Sequence, residues 1–277
     1  MAAGDFIAPE VFADLAQASF TGKVKVLGSP AVQEDNTLVG QPGETISFPK
    51  WGALGELDDL TTGVAMVPVE LEQTDSSATI KEAGKAVLIN DRDKLTMLGG
   101  QNAGESEALR QFGVLAARKV DGDLIVEART APGRKTATTA AGTTTFGWAA
   151  LTTGLALFGD DFEPEDFAGI YINPVQLAEL YADERFIDAS KIGDNSIVRR
   201  GVVGTIAGMP VSVSGRLTEG EYLLLQRNVL GALYKRRPLV EQDRDILKRQ
   251  DVYTTNVHYA VKAINPAGIA HVTLANA

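Results

Sequence analysis

The sequence predicts an α+β protein that carries a projecting two-stranded arm. Three observations favour this class: two neighbouring strand-like runs in the first third of the chain, one long helical pattern behind them, and a later region of short strands mixed with one clear helix. Apolar residues make up 44% of the 277 residues and charged residues 22%, which is typical of a folded globular protein.

The arm is predicted from the strand-like runs at residues 45–51 and 64–72. Apolar residues alternate with others in both runs, so each run has one face that requires burial. Pro49 and Pro68 lie inside the runs and favour an edge or two-stranded ribbon, which is marginally stable alone in water. We therefore expect a neighbouring subunit to complete the burial. The residues expected to make this intersubunit contact are Ile46, Phe48, Trp51, Val67, Val69 and Leu71.

The first forty residues are predicted to form an N-terminal arm. Pro9 opens a short amphipathic helical pattern, and a polar stretch follows at residues 29–41. We expect four apolar side chains of this arm to contact a neighbouring subunit: Phe6, Val11, Phe12 and Leu15. The alternative is a helix that packs on its own domain.

A long strut helix is the clearest element of the middle region. Apolar residues at helical spacing predict it over about residues 105–129, with a stripe formed by Leu109, Phe112, Ala116, Val120, Leu124 and Ala128. Before it, residues 78–89 predict a strand, and Asn90 and Asp91 begin a short helix to residue 98. After it we expect a flexible loop at 130–145 and a second helix at 146–158.

The later region combines short strands with one helix. A buried strand is predicted at 170–172, and the Asn173-Pro174 pair begins a helix that runs through Tyr181. Two short strands are expected within 201–214 around a glycine–proline turn. Further strands are predicted at residues 222–226, 229–234, 251–264 and 269–274, the last two joining a sheet beside the strut.

Composition argues against several kinds of chemistry. The absence of cysteine excludes disulfides, cysteine metal sites and thiol nucleophiles. Only His258 and His271 are available for a histidine metal site or a Ser-His-Asp arrangement. The formal net charge of −10 indicates that the molecule as a whole repels nucleic acid. A local contact with nucleic acid through the basic patches at 199–200 and 235–237 stays open as an alternative. We expect no cofactor.

The most enzyme-like feature is a run of carboxylates, formed by Asp160, Asp161, Glu163, Glu165 and Asp166. It could supply paired acids for glycoside hydrolysis or ligands for a hard cation, but it lacks the glycine and the spacing of a calcium loop. A solvated linker is the simpler interpretation, and a carboxylate-dependent hydrolase stays open as an alternative function. The sequence has no apolar run long enough to span a bilayer, so no membrane partner is expected.

The order of these elements resembles the major capsid proteins of tailed bacteriophages with the HK97 fold. The resemblance covers nearly the whole chain and is carried by residues 40–49, 83–86, 172–174 and 204–214. It implies an HK97-like capsid fold in five parts: an N-terminal arm (1–40), an extended β-hairpin called the E-loop (41–77), a peripheral domain with a long spine helix (78–145), an axial domain (146–245), and strands that return to the peripheral domain (246–277).

The resemblance also implies a structural rather than an enzymatic function. The subunits would self-assemble through pentamers and hexamers into an icosahedral shell around a double-stranded DNA genome, inside the bacterial cytoplasm, and would remain in the virion. Because the arm begins within a few residues of Met1, the expected partners include a separate scaffolding protein, beside a portal and a candidate decoration protein. An encapsulin-like nanocompartment is the alternative within the same fold.

Overall fold

The computed structural model describes residues 24–36, 43–51, 59, 65–66, 68–96, 103–183 and 204–275. The strands within these ranges are β1 (Val32–Asp35), β2 (Thr45–Trp51), β3 (Gln73–Thr79), β4 (Lys81–Asn90), β5 (Lys135–Thr138), β6 (Phe167–Ile172), β7 (Thr205–Ile206), β8 (Met209–Val213), β9 (Glu221–Gln226), β10 (Leu230–Asp245), β11 (Gln250–Ala263) and β12 (Ile269–Thr273). The helices are α1 (Asp91–Thr96), α2 (Ala103–Thr130), α3 (Trp148–Leu155) and α4 (Pro174–Ala182).

The strands form three sheets. A four-stranded sheet has the order β1-β10-β11-β4, a six-stranded sheet has the order β5-β12-β9-β6-β8-β7, and β2 pairs with β3 in a separate hairpin. The helices pack on the two larger sheets, so the predicted α+β class is confirmed. Among the described side chains of the hairpin only Ala78 is buried, in a small cluster separate from these cores.

Helix α2 spans both larger sheets and confirms the predicted strut. Its 28 residues extend about 42 Å at 1.5 Å per residue. All six residues of the predicted apolar stripe are buried. Leu109 and Phe112 pack in a cluster with side chains of β4, β10 and β11, whereas Val120 and Leu124 belong to the core shared by the two sheets.

Gly122 of α2 leaves room for the side chain of Arg216. A Cβ atom at this position would lie 2.5 Å from the Arg216 guanidinium, in the turn that follows β8. Glycine weakens a helix by about 1 kcal/mol relative to alanine. At this position glycine lets the Arg216 side chain lie against the helix backbone, and a larger residue would require that side chain to move.

Asp121 on α2 fixes the segment that leads into β1. Its Oδ1 atom accepts the backbone N–H groups of Lys25 at 3.2 Å, Val26 at 2.7 Å and Leu27 at 3.1 Å. Val26 and Leu27 are buried in the main core, and β1 then pairs parallel to β10. Residues 24–36, which we included in the N-terminal arm, are thus held by the core of their own subunit.

Glu221, at the start of β9, joins the end of α2 to the six-stranded sheet. Its carboxylate accepts hydrogen bonds from the Thr218 backbone at 2.7 Å and lies 2.9 Å from both Arg129 Nε and His271 Nε2. Burial by itself raises the pKa of this carboxyl, but the hydrogen bonds of His271 and Thr218 and the charge of Arg129 bring the pKa below its usual value.

The predicted helix after residue 172 is confirmed with its cap. Asn173 Oδ1 accepts the Val175 N–H at 2.9 Å, and Gln176 Oε1 accepts the Asn173 N–H at 2.9 Å. This reciprocal pair is a capping box, and Pro174 occupies the first helical position, where its missing N–H costs nothing.

The second strand of the arm differs from the prediction. β2 pairs with Gln73–Thr79, and not with residues 64–72. Pro68 lacks the N–H group that a ladder uses, whereas the small polar residues of β3 can pair fully in a ribbon exposed to water. Apolar alternation, which favoured 64–72, identifies a strand that is buried on one face, and β3 is not such a strand.

Several other boundaries also differ. The expected loop at 130–145 contains β5, which pairs parallel to β12. β12 consequently lies inside the six-stranded sheet, between β5 and β9, and not in the sheet beside α2 that β11 joins. β10 extends to Asp245 because its charged second half pairs with β11. Helix α3 covers only residues 148–155, and the strand expected at 78–89 is divided at Ile80 between β3 and β4. The predicted end of α1 at residue 98 lies outside the described residues.

Replacing Asp121 is expected to destabilise the subunit, and the loss should depend on whether the new side chain keeps an acceptor oxygen. Asp121→Ala leaves three N–H groups without an acceptor and should lower the free energy of unfolding by about 3 kcal/mol or more. Asp121→Asn keeps one acceptor oxygen and should lower it by less. Urea unfolding of unassembled subunits measures both values, and equal losses would contradict the acceptor role.

The contribution of Glu221 to stability should depend on pH. Because its pKa is lower in the folded state than in the unfolded chain, its stabilisation is present above the unfolded value and is lost as the pH falls through the folded pKa. Glu221→Gln should therefore lower the free energy of unfolding at pH 7, and the difference from wild type should shrink below about pH 4. The exposed neighbour Glu219→Gln is the matched control in urea unfolding. A difference that stays constant with pH would refute this role.

Candidate intersubunit surfaces

The contacts that fix the β2–β3 hairpin to the body of the subunit lie at its base. The Ile80 N–H donates to the Glu44 carbonyl oxygen at 2.9 Å, and Lys235 Nζ donates to the Gly43 carbonyl oxygen. Ala78 is the one buried side chain among those described in β3, and it packs in a small cluster with side chains of β10 and β11. The hairpin therefore projects from the four-stranded sheet at Ile80, where β3 continues into β4.

Beyond the base, the described side chains of β3 face solvent or are half-buried. Gln73, Asp75 and Ser77 are exposed, and Asp75 accepts a hydrogen bond from Ser47 Oγ at 2.7 Å. The register places three predicted contact residues, Ile46, Phe48 and Trp51, opposite Ala78, Ser76 and Gln73, respectively. The side chains of these three residues lie outside the described part of the structure.

The run that precedes β3 exposes apolar side chains to solvent. Val69 is 68% exposed and Leu71 is 53% exposed, and they alternate with the exposed carboxylates of Glu70 and Glu72. Burial of both apolar side chains would require another surface. Their contact with a neighbouring subunit stays a prediction, and Val67 lies outside the described residues.

The predicted contacts of the N-terminal arm are not tested by the structure. Phe6, Val11, Phe12 and Leu15 all lie within residues 1–23, which are outside the described part of the chain. The basic pair at 199–200 is also outside it. The other basic patch is partly accounted for, since Lys235 bonds to the base of the hairpin.

The turn between β10 and β11 presents an apolar surface that the sequence analysis missed. Ile246 is 77% exposed and Leu247 is 95% exposed. Asp245 Oδ1 accepts the N–H groups of Leu247 and Lys248, each at 3.1 Å, and the Lys248 backbone bond lowers the pKa of Asp245. The signal in the sequence is a pair of large apolar residues flanked on both sides by charged ones.

A cluster of charged and polar groups fixes this turn relative to the start of α2. Lys94 Nζ lies 2.7 Å from Glu105 Oε1 and also bonds to Asp251. The Tyr253 hydroxyl donates to Glu105 and accepts from Gln242 Nε2 at 3.0 Å. Burial alone lowers the pKa of Lys94, but its bonds to Asp251 and Glu105 raise it above the usual value. Lys94 is therefore a fixed positive charge between α1, α2 and β11.

The described carboxylates of the run do not form a centre that could hold a metal ion. Asp160, Glu163, Glu165 and Asp166 are exposed, and three of them line an open cleft that also contains Lys135. The described residues contain no group of three or more potential ligands for a metal ion. His271 bonds to Glu221, and His258 lies 3.7 Å from Glu82. None of the described helices has the length and apolar character needed to span a membrane.

Comparison with known proteins identifies phage capsid proteins, the class that the order of elements also resembles. The chain matches the phage capsid protein family over residues 72–272. It is 29% identical over 256 residues to the major capsid protein of Staphylococcus phage phiMR11, which covers 91% of this chain and 88% of the relative. Among solved structures, the capsid subunit of cyanophage Pam1 matches with a TM-score of 0.68 and 13% identity, over 100% of this chain and 95% of that chain.

An encapsulin shares the fold at lower similarity. The subunit from Synechococcus elongatus matches with a TM-score of 0.58 and 12% identity, over 87% of this chain and 84% of that chain. At that identity the likeness shows the fold alone.

These matches confirm the expected HK97-like fold. Proteins of the matched family are structural and are not enzymes, so the hydrolase alternative is wrong. The carboxylate run is then a solvated connection between α3 and β6. Since the family match covers most of the chain, this protein belongs to the phage capsid protein family.

Proposed function

We propose that the protein is the major capsid protein of a tailed bacteriophage and assembles through pentamers and hexamers into an icosahedral shell around double-stranded DNA. The observation that carries the proposal is the hairpin, which is fixed at its base and leads to the exposed apolar side chains of Val69 and Leu71. The family match over residues 72–272 supports the shell-building role.

In this proposal the hairpin is the E-loop, and it lies over a neighbouring subunit. Transfer of Val69 and Leu71 from water to that subunit would contribute about 25 cal/mol for each Å² of apolar surface buried. One such contact is weak. A closed shell holds each subunit through several neighbours, so weak contacts add up to a stable particle. Phe6, Val11, Phe12 and Leu15 of the N-terminal arm supply further contacts of the same kind.

The turn at Ile246 and Leu247 supplies a second surface for assembly. Tyr234 lies near the base of the hairpin, and Asp245 follows it eleven positions later in β10, which corresponds to about 36 Å of strand. The base of the hairpin and the turn at Ile246 and Leu247 therefore lie near opposite ends of the same long sheet. Val69 and Leu71 lie farther from that sheet, beyond the outer end of β3. A subunit with two separated contact surfaces can join different neighbours, as a closed lattice requires.

The parts of the subunit have separate assignments in this proposal. Helix α2 is the spine of the peripheral domain, together with the four-stranded sheet, and the six-stranded sheet is the centre of the axial domain. The net charge of −10 suits a shell that encloses DNA without binding its sequence. Assembly takes place in the cytoplasm of the bacterial host, with a separate scaffolding protein and a portal as partners and a decoration protein as a candidate, and the product is the virion.

A charge in the exposed run should prevent closure of shells without unfolding the subunit. Leu71→Asp replaces an apolar contact by a carboxylate at a repeated interface, and we expect the yield of closed shells to fall about tenfold or more. Sedimentation velocity and negative-stain microscopy measure the yield, and circular dichroism reports whether the subunit is folded.

Val126→Asp provides a matched control, because Val126 is also 53% exposed but lies on α2. This variant should form shells at the wild-type yield. Normal closure by Leu71→Asp would show that the hairpin is not a contact between subunits.

A further inference from the structure

The strand β4 forms an open edge of the four-stranded sheet. It runs for ten residues, from Lys81 to Asn90, and pairs with β11 on one side, while no described strand lies on its other side. The outer side of such a strand carries a row of backbone N–H and C=O groups that can pair with a further strand. Ala86 and Leu88 are exposed on this strand, and Leu88 is 57% exposed.

The run at residues 68–72 has the pattern of a strand but no strand partner among the described residues. Val69 and Leu71 fall on one side of an extended chain, and Glu70 and Glu72 fall on the other. All four side chains are exposed. Among the described residues, the subunit therefore presents an unpaired edge and, separately, an unpaired run with strand-like alternation.

The run cannot reach β4 of its own subunit. β3 lies between them in the sequence, and its seven residues extend about 23 Å away from β4 while paired with β2. Residues 68–72 begin at the far end of that strand. A reversal that brought the run back to β4 would require β3 to leave the hairpin.

We propose that residues 68–72 pair as an added strand with the open edge of β4 in a second copy of this chain. The inference rests on the proposed function, in which the hairpin lies over a neighbour, and it names the surface that the hairpin meets. Addition of a strand to a sheet edge is a common mode of recognition, in which backbone hydrogen bonds give affinity and side chains give specificity.

The side chains of the two elements match face by face. In the sheet, Leu88 is paired with Val252 on the outer face, whereas Lys85 is paired with the buried Thr255 on the face toward α2. An added strand that places Val69 and Leu71 beside Leu88 puts its two carboxylates on the other face, where Lys85 lies.

One orientation of the added strand therefore places apolar side chains beside Leu88 and, at the same time, places carboxylates beside Lys85. Cross-strand pairs of either kind stabilise a sheet. Lys81 lies on the same face as Lys85, is largely exposed, and already approaches Asp123 at 3.7 Å. On the face toward α2, the acidic run therefore meets two lysines of β4, whereas Glu82 lies on the outer face with Leu88.

The position of Pro68 is compatible with an added strand whose residues 69 and 71 bond to β4. Successive residues of a strand point their backbone N–H groups to opposite edges, so residues 68, 70 and 72 share one edge and residues 69 and 71 share the other. Proline is tolerated in a strand only where its missing N–H would face outward. The ladder to β4 would then use the N–H groups of Val69 and Leu71.

Cysteine cross-linking tests this pairing directly, because the chain has no cysteine of its own. Tagged Leu71→Cys subunits are co-assembled with untagged subunits that carry either Leu88→Cys or Ala86→Cys, and the shells are oxidised with diamide. Directly opposite residues in a sheet have the Cβ separation that a disulfide needs. We expect one of the two mixtures to form a covalent heterodimer, seen on non-reducing gels.

Val126→Cys is the matched partner that should not react, since Val126 has nearly the same exposure as Leu88 but lies on α2. Equal cross-linking to Val126→Cys would overturn the proposal. A third outcome is that neither β4 variant reacts, although Leu71→Asp still blocks closure of shells. The hairpin would then contact its neighbour elsewhere, so this inference would fail and the proposed function would stand. Normal closure by Leu71→Asp, without cross-links, would overturn both.

A charge exchange tests the same contact without cysteine. Lys85→Glu should lower the yield of closed shells severalfold, because it places a third carboxylate beside Glu70 and Glu72. Adding Glu70→Lys and Glu72→Lys to the Lys85→Glu chain should restore the yield. A yield that Lys85→Glu leaves unchanged, or that the added lysines fail to restore, would overturn the inference.

Discussion

The buried stripe of α2 holds the two larger sheets of the subunit together. Leu109 and Phe112 secure the four-stranded sheet at one end of the helix, and Leu124 belongs to a core that side chains of both sheets share. Two polar contacts reinforce this packing, because Asp121 holds the segment before β1 and Glu221 joins the end of α2 to the six-stranded sheet. Loss of the stripe would separate surfaces whose spacing a shell depends on.

The hairpin lacks this kind of support. Its contacts with the body are concentrated near Ile80, whereas Val69 and Leu71 remain exposed beyond the far end of β3. A two-stranded ribbon in water is marginally stable, so such an arm can adjust its angle to a neighbour at little cost. The subunit thus combines a rigid body with an adaptable arm, and a curved shell in which neighbours meet at slightly different angles requires both.

Elements with strong local signals could be predicted from the sequence. The stripe of α2 repeats at helical spacing, and Asn173 with Pro174 marks the start of α4. β3 could not be predicted, because its residues, such as Ser76 and Ser77, show no apolar alternation. The pairing of β5 with β12 is non-local and leaves no local pattern. The exposure of Leu247 was also hidden, since a sequence does not distinguish a leucine at a turn from one in a core.

In the proposed shell, a second copy of the chain covers residues 68–72. Amide hydrogen exchange compares these residues in unassembled subunits and in closed shells, and it reports backbone hydrogen bonds directly. The account predicts that exchange at Val69 and Leu71 becomes slower on assembly by about tenfold or more, because their N–H groups enter a ladder. Equal exchange rates in the two states would contradict it.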